Sequence, residues 1–307
     1  MSKLLLTLLA TATLLLAQNT HRSIVIPNVP DAPKEYPKGK LGEMVKLGEA
    51  IIEKTNTHPL SKEYVGNSLQ CTSCHLQNGK TKTVGTFIGT ATVFPAYSSR
   101  EDSIQTLQDR IDNCFMRSMN GKRPPIDSKV SIAMATYVTW LSTGLPIKMS
   151  DEKTVTPYYS HIWPDKNIVE KIKKATNTTY KEGKKLYAKK CSMCHGENGA
   201  GVGTMPPLWG DKSYNAGAGL SKLHKLATWM EYNMPYNQAT LNDDEAVALA
   251  IYIDAQPRPS FNLKDHLLDK DAGVYNSKVK SSTGSVRDNF KAFGLDIDKI
   301  RGDKVIN

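Results

Sequence analysis

Two pentapeptides of the form Cys-x-x-Cys-His are the residues of this sequence best suited to chemistry. In each, two residues separate the cysteines and a histidine directly follows the second cysteine: Cys71, Cys74 and His75, then Cys191, Cys194 and His195. Two cysteines at this spacing can both form thioether bonds to the vinyl groups of one haem, with the histidine under the iron as proximal ligand. A redox Cys-x-x-Cys pair or a zinc knuckle needs no histidine at that place. The pattern therefore predicts two covalently bound haem c groups, each with its iron.

A haem iron of this kind takes a sixth ligand, usually a methionine from the loop before the closing helix. In the second half Met234 fits this place, and Pro235 fixes the backbone beside it. Met205, Met230 and His224 are alternatives, although methionine most often just fills apolar gaps. The segment around Met205 is better suited to orienting the proximal histidine through a backbone carbonyl.

The fifth cysteine, Cys114, belongs to neither pentapeptide. It follows His75 by the same number of positions as Met234 follows His195, so it occupies the place of the sixth ligand in the first half. We therefore expect Cys114 to ligate the first iron. A buried free thiol is the alternative. Two nearby methionines compete for the same place: Met116 and Met119.

The spacing of apolar residues around Cys114 predicts one helix from Ser103 to Asn120. The stripe expected to be buried consists of Ile104, Leu107, Ile111 and Phe115. Arg110 precedes Cys114 by four positions and Ser118 follows it by four, so all three share a face. A guanidinium beside a thiolate lowers the thiol pKa and can also hold an oxyanion. Arg100 precedes this helix, and both arginines are either site residues or solvated surface residues.

The elements around the pentapeptides follow the same order in both halves. A helix precedes each pentapeptide and an apolar helix closes each half, at about Leu41–Glu53 and Ser131–Leu141, then Thr179–Lys189 and Asp243–Ala255. Asn242 and Glu245 have the spacing of a capping box at the start of the last helix. This order predicts an all-α fold of two class I cytochrome c domains in tandem, each with one covalently bound haem.

The ends of the chain and its charge complete the predicted organisation. Lys3, an apolar run and Ala17 predict a cleavable signal peptide over 1–17, since the run is too short to span a bilayer. An N-terminal domain at 18–150, a C-terminal domain at 151–262 and a charged extension at 263–307 follow, with a polar linker at about 145–166. We expect export to the periplasm and no membrane-spanning segment. Export argues against nucleic acid as the partner of a chain with formal charge +10, which leaves an anionic membrane surface or a small anionic substrate.

The segment between the two pentapeptides resembles the corresponding segment of a known family. Its residues Arg100, Arg110, Asn113, Cys114, Phe115, Met116, Ser118 and Gly121 are similar to those of the TsdA-type dihaem c-type cytochromes, the thiosulfate dehydrogenase and tetrathionate reductase family. The resemblance covers about 40–260. It implies that the first haem, ligated by His75 and Cys114, is the active site, with Arg100, Arg110 and Ser118 around it. It also implies that the second haem, ligated by His195 and Met234, passes electrons out. Some members have a lysine where this chain has Asn233, so Met234 is expected to be the sole ligand.

The resemblance implies the reaction as well: two thiosulfates join through sulfur to give tetrathionate and two electrons, in a direction that differs between members. The expected electron partner is external, such as another cytochrome in the periplasm or at the membrane. The alternatives are a non-catalytic dihaem electron carrier, with methionine at both irons, and a dihaem peroxidase. A peroxidase needs acid–base groups above an open sixth position, and the sequence near Cys114 offers no well-placed histidine or glutamate. A further relative, a sulfur-oxidation cytochrome, works on a carrier protein instead of small anions.

Overall fold

The computed structural model describes residues 29–98, 100–147, 165–268 and 283–304. The predicted signal peptide and most of the predicted linker lie outside these residues. Among the helices that are described, none combines the length and the apolar character needed to cross a membrane. The described chain forms two largely helical halves, each built around one pentapeptide.

In the first half, helices surround the first pentapeptide, which lies on a short 3-10 turn. Two three-residue strands pair in antiparallel fashion on the way to the central helix. The longer elements of this half are the helices α1 (Gly39–Glu53), α2 (Leu107–Arg117) and α3 (Lys129–Trp140) and the strands β1 (Ala96–Ser98) and β2 (Ser103–Gln105).

The second half repeats this order with the second pentapeptide at its centre. Its helices are α4 (Lys166–Lys173), α5 (Asn177–Lys190), α6 (Ser192–His195), α7 (Leu223–Asn233) and α8 (Asp243–Asp254). The capping box of α8 is confirmed, because the backbone N–H of Glu245 donates to Asn242 Oδ1 at 2.9 Å and that of Asn242 donates to Glu245 Oε2 at 3.2 Å. These bonds satisfy two N–H groups that a helix start otherwise leaves without a partner.

The same helix crossing occurs in both halves, with a glycine at its closest point. Helix α1 packs on α3, and α5 packs on α8. A Cβ on Gly48 would lie 2.0 Å from the carbonyl oxygen of Ala133, and a Cβ on Gly183 would lie 2.0 Å from that of Ala248. Only glycine permits so close an approach of two backbones. The four predicted flanking helices are thus confirmed, with their ends within two residues of the expected positions.

The prediction of one helix from Ser103 to Asn120 is wrong at its start and too long at its end, where α2 stops at Arg117. Helix α2 begins at Leu107, because the side chain of Thr106 accepts from the backbone N–H of Asp109 at 3.1 Å and caps the helix there. The residues before this cap are extended and form β2. Ile104 therefore lies outside the helix and is 68% exposed, whereas Phe115 is buried as expected.

The C-terminal extension packs against the rest of the chain wherever the structure describes it. Strand β3 (Phe261–Asn262) pairs antiparallel with β4 (Thr283–Gly284), and two short helices follow, α9 (Val286–Lys291) and α10 (Ile297–Arg301). Their apolar side chains join the core of the second half: Val286, Phe290, Ile297 and Ile300. The extension is rich in charged residues, but the apolar residues among them make its packing contacts.

The two halves share a continuous interface. Val84 and Ile88 of the first half lie in the apolar core of the second. The side chain of Asn67 donates to the backbone oxygens of Ser118 and Ser213, at 2.8 and 3.0 Å, and so joins the two halves. The relative position of the two pentapeptides is therefore set by packing between the halves.

Candidate active site

The thiol of Cys114 lies on helix α2 beside a guanidinium group. Arg110 Nη1 is 2.9 Å from Cys114 Sγ, as expected for side chains one helical turn apart. Cys114 is half-buried, and it lies near enough to the first pentapeptide to be among the causes, after burial, that raise the pKa of Cys71 and of Cys74. Cys114, its neighbouring guanidinium and the first pentapeptide thus converge on one place in the fold.

The ring of His75 is held for ligation by its second nitrogen. Nδ1 donates to the carbonyl oxygen of Gly85 at 2.7 Å, which leaves Nε2 available to an iron, and the ring stacks on Phe87. The pKa of His75 is lowered to about 4, chiefly by burial, with the positive charge of Arg110 acting in the same direction and the hydrogen bond to Gly85 opposing it. The imidazole is therefore neutral near pH 7, which is the form that ligates metals.

The second pentapeptide is arranged in the same way. His195 Nδ1 donates to the carbonyl oxygen of Pro206 at 2.9 Å, which confirms that the segment around Met205 orients this ring. Burial lowers the pKa of His195 as well. Met234 is half-buried directly after helix α7, and its backbone N–H closes the helix on Met230 at 2.8 Å. Cys194 is exposed at the surface of this half.

The alternative ligands in the second half lie in other environments. Met230 is buried in the core of the second half, and Met205 is 39% exposed. The ring of His224 packs on Phe293 of the C-terminal extension, with centroids 5.5 Å apart. Packing therefore accounts for Met230 and His224, and the assignment of Met234 as the ligand stays a prediction.

Asn233, next to Met234, ties this part of the second half to the first pentapeptide. Its Nδ2 donates to the carbonyl oxygens of Val84 at 3.0 Å and Trp229 at 2.9 Å, and its Oδ1 accepts from Thr83 Oγ1 at 2.7 Å. Trp229 Nε1 in turn donates to the carbonyl oxygen of Cys74 at 3.0 Å. One face of helix α7 thus lies directly against the first pentapeptide.

The residues present fit a covalent haem c in each half. Each half offers two thiols at the attachment spacing and a neutral imidazole whose Nδ1 is already satisfied by a backbone carbonyl. Thr55 Oγ1, 3.2 Å from Cys71 Sγ, fixes one of the attachment thiols. The residues that would hold the haems are Cys71, Cys74 and His75 in the first half, and Cys191, Cys194 and His195 in the second.

Arg100 belongs to a cluster of charges that sequence reasoning did not find. The carboxylate of Glu101 accepts from Arg117 Nη2 at 2.9 Å and from Arg100 Nε at 3.2 Å, and Glu101 is only 4% exposed. The pKa of Arg100 is lowered to about 10, first by burial and then by the positive charges of Arg117 and Arg110. Arg100 and Arg110 are thus brought close together, with Glu101 fixing the direction of Arg100. The residue in the sequence that could have indicated this cluster is Arg117, one turn beyond Cys114 on the same helix.

The other predicted residues near Cys114 have defined places. Ser118 caps the C-terminal end of α2, with its backbone N–H on the carbonyl oxygen of Cys114 at 2.8 Å. Met116 is buried against Phe261 and Leu263, and Met119 is buried in the core of the first half. Both methionines are therefore accounted for by apolar packing.

A chain with two cytochrome c domains, each presenting a Cys-x-x-Cys-His motif and an oriented histidine, is a dihaem c-type cytochrome in design. Residues 62–147 match the family described as SoxA/TsdA, cytochrome c domain, and residues 180–256 match the cytochrome c family. The chain is 35% identical over 236 residues to the thiosulfate dehydrogenase of Thiomonas intermedia, covering 75% of this chain and 71% of that one. It is 37% identical over 236 residues to that of Psychrobacter arcticus, covering 75% and 68%.

A solved structure shows the same fold. The "as isolated" form of the thiosulfate dehydrogenase TsdBA from Marichromatium purpuratum is 31% identical, with a TM-score of 0.64. The match covers 81% of this chain and 54% of that one, so the chain spans about half the length of the TsdBA protein. The chain belongs to the thiosulfate dehydrogenase family. The resemblance drawn from the sequence and the predicted fold class are both confirmed.

Proposed function

We propose that this protein interconverts thiosulfate and tetrathionate at Cys114, with electrons relayed through the second haem to or from an external redox partner. As a family member the chain is an oxidoreductase that acts on sulfur compounds. The observation that carries the proposal is the contact of 2.9 Å between Arg110 Nη1 and Cys114 Sγ beside the first pentapeptide. A cysteine in the place of a sixth ligand, next to a fixed positive charge, is suited to sulfur chemistry on anions.

The arginines offset the repulsion between two substrate dianions. Thiosulfate carries two negative charges, so bringing two of them together is opposed by electrostatic repulsion. Arg100 and Arg110 lie near each other and near Cys114, and Arg100 is directed by the buried carboxylate of Glu101. Paired N–H groups of a guanidinium suit the oxygens of such anions.

Cys114 serves as the sulfur that links the two substrates. Its thiolate forms a sulfur–sulfur bond to the terminal sulfur of one thiosulfate, and two electrons leave. A second thiosulfate then attacks that same terminal sulfur, which releases tetrathionate and regenerates the thiolate. When bound, the haems would supply the electron sink, and ligation of the first iron by Cys114 and of the second by Met234 would give the first the lower potential.

Several parts of this function rest on the sequence. The predicted ligands are His75 and Cys114 at the first iron and His195 and Met234 at the second. Placement in the periplasm and an external cytochrome as partner remain proposals that follow from the predicted signal peptide. If the protein were a simple electron carrier, a methionine would have to ligate the first iron, but Met116 and Met119 are both packed in apolar clusters.

The test replaces Cys114 by Met and measures both turnover and haem state. We expect Cys114→Met to retain two haems and to lose tetrathionate formation, because methionine can ligate iron but cannot form the sulfur–sulfur bond. Electron paramagnetic resonance of the oxidised protein should show a His/thiolate low-spin signal that this substitution removes. Met116→Leu is the matched control, which should change neither. Substantial turnover in Cys114→Met would refute the mechanism.

A further inference from the structure

The N-terminal end of helix α7 carries two lysines on the side that faces the first half. Lys222, Lys225, Trp229 and Asn233 are spaced so that they share one face of the helix. Trp229 and Asn233 bind backbone oxygens of the first half, those of Cys74 and Val84. Both lysines therefore lie on the face of α7 that packs against the first half.

The charges around these lysines are those of the candidate active site. The pKa of Lys225 is lowered to about 8, first by burial and then by the positive charges of Arg110 and Arg100. Burial also lowers the pKa of Lys222, with Arg100 as the next cause, while Asp254 acts in the opposite direction. Two lysines of the second half thus lie near two arginines of the first, and a dianion bound between them would be attracted to all four.

The C-terminal extension holds one of the two lysines in position. The buried side chain of Asn289, on helix α9, accepts from Lys222 Nζ through its Oδ1. Its Nδ2 donates to the carbonyl oxygen of Ala216 at 3.0 Å, which fixes the orientation of the amide. The ring of Phe293 packs on His224, between the two lysines in sequence. The C-terminal extension therefore covers this end of α7.

We propose that Lys222 and Lys225 complete the binding site for thiosulfate and tetrathionate, with Asn289 as the residue that positions Lys222. This inference rests on the proposed function. The first half supplies Cys114 and the two arginines, and the second half supplies the two lysines. The site is then assembled from both domains, with the second doing more than passing electrons out.

The experiment measures binding without turnover. In the oxidised Cys114→Met holoprotein, which should not turn over, thiosulfate is titrated by isothermal calorimetry. We expect Lys225→Gln and Lys222→Gln each to weaken binding about tenfold, since each removes one charge near a dianion. Asn289→Leu should have a smaller effect in the same direction. The matched control is Lys185→Gln, an exposed lysine on α5, which should change the dissociation constant by less than about twofold.

Two further readouts separate a direct role from a structural one. Lys225→Arg should restore most of the affinity, and Lys225→Gln should reduce the dependence of the dissociation constant on salt concentration. If Arg110→Gln weakens binding but both lysine variants behave like Lys185→Gln, the inference is overturned and the proposed function stands. If thiosulfate fails to bind, or Arg110→Gln has no effect, both are overturned.

Discussion

Replacing Glu101 by Gln tests how the buried charges beside the active site contribute to folding. Glu101 and Arg117 have side chains only 1% and 2% exposed and lie 2.9 Å apart. The substitution keeps the shape and one acceptor oxygen but removes the negative charge that Arg117 and Arg100 share. Arg117 is also stacked on the ring of Phe261, 4.1 Å from its centroid, so it has little room to turn toward water.

The expected loss is about 2–3 kcal/mol of unfolding free energy. Two unit charges about 4 Å apart attract by about 4 kcal/mol at an effective dielectric constant near 20. The neutral amide regains part of this, because burying the carboxylate cost desolvation energy. The result lies just below the range of about 3–5 kcal/mol found when one partner of a buried pair is removed. It corresponds to a melting temperature lower by about 5–10 °C.

The assay is urea unfolding of the holoprotein, followed by circular dichroism. The midpoint should fall while the slope stays constant, because the surface exposed on unfolding is unchanged. Glu170→Gln is the matched control, since Glu170 pairs with Lys173 at 2.8 Å on the exposed side of α4 and should contribute nothing measurable. Adding Arg117→Met to Glu101→Gln should recover part of the loss. Equal stability of Glu101→Gln and Glu170→Gln would refute the reasoning.

Two other substitutions test the second half and the repeated helix crossing. Burial raises the pKa of Asp254 to about 7, although Arg258 Nη2 lies 3.1 Å from its carboxylate. The protonated carboxyl group therefore stabilises the folded state fully below about pH 4, and this contribution is lost as the pH rises toward 7. Urea unfolding across this range should show that Asp254→Asn flattens the fall, and parallel profiles would contradict this. Gly48→Ala and Gly183→Ala should each destabilise by about 1–3 kcal/mol, because a new Cβ would meet a carbonyl oxygen at 2.0 Å. Thermal melts check this. Gly203→Ala is the control: no atom lies within 4 Å of the new Cβ, but φ is positive, so this variant measures backbone strain without overlap.

The elements that the sequence predicts well are those that depend on local signals. The helices around each pentapeptide follow from short-range apolar periodicity, and the start of α8 follows from the capping pair Asn242 and Glu245. The start of α2 could have been found in the same way. Thr106 and Asp109 have capping-box spacing, but the apolar Ile104 favoured an earlier start. Two competing local signals were present, and the cap prevailed.

The parts of the site that the sequence does not predict depend on contacts between distant segments. Arg117 is buried because Phe261, from the far end of the second half, covers it. Glu101 becomes a shared partner only once α2 brings Arg117 to the carboxylate oxygen that also accepts from the adjacent Arg100. The direction of Lys225 depends on how the two halves dock. No spacing rule within one segment reveals such neighbours.

The interface between the halves also has a consequence for the order of folding. Its hydrogen bonds join residues far apart in the chain: Asn67 with Ser213, Thr83 with Asn233, and Gly121 with His266, at separations of 146, 150 and 145 positions. Contacts of such high contact order form slowly, and docking of domains follows their individual folding. Helix α1 can pack on α3 without the second half, but the surroundings of Arg117 stay incomplete until the segment from Phe261 to His266 has docked. Assembly of the proposed substrate site is thus a late kinetic event, separated in time from the packing of the first helices.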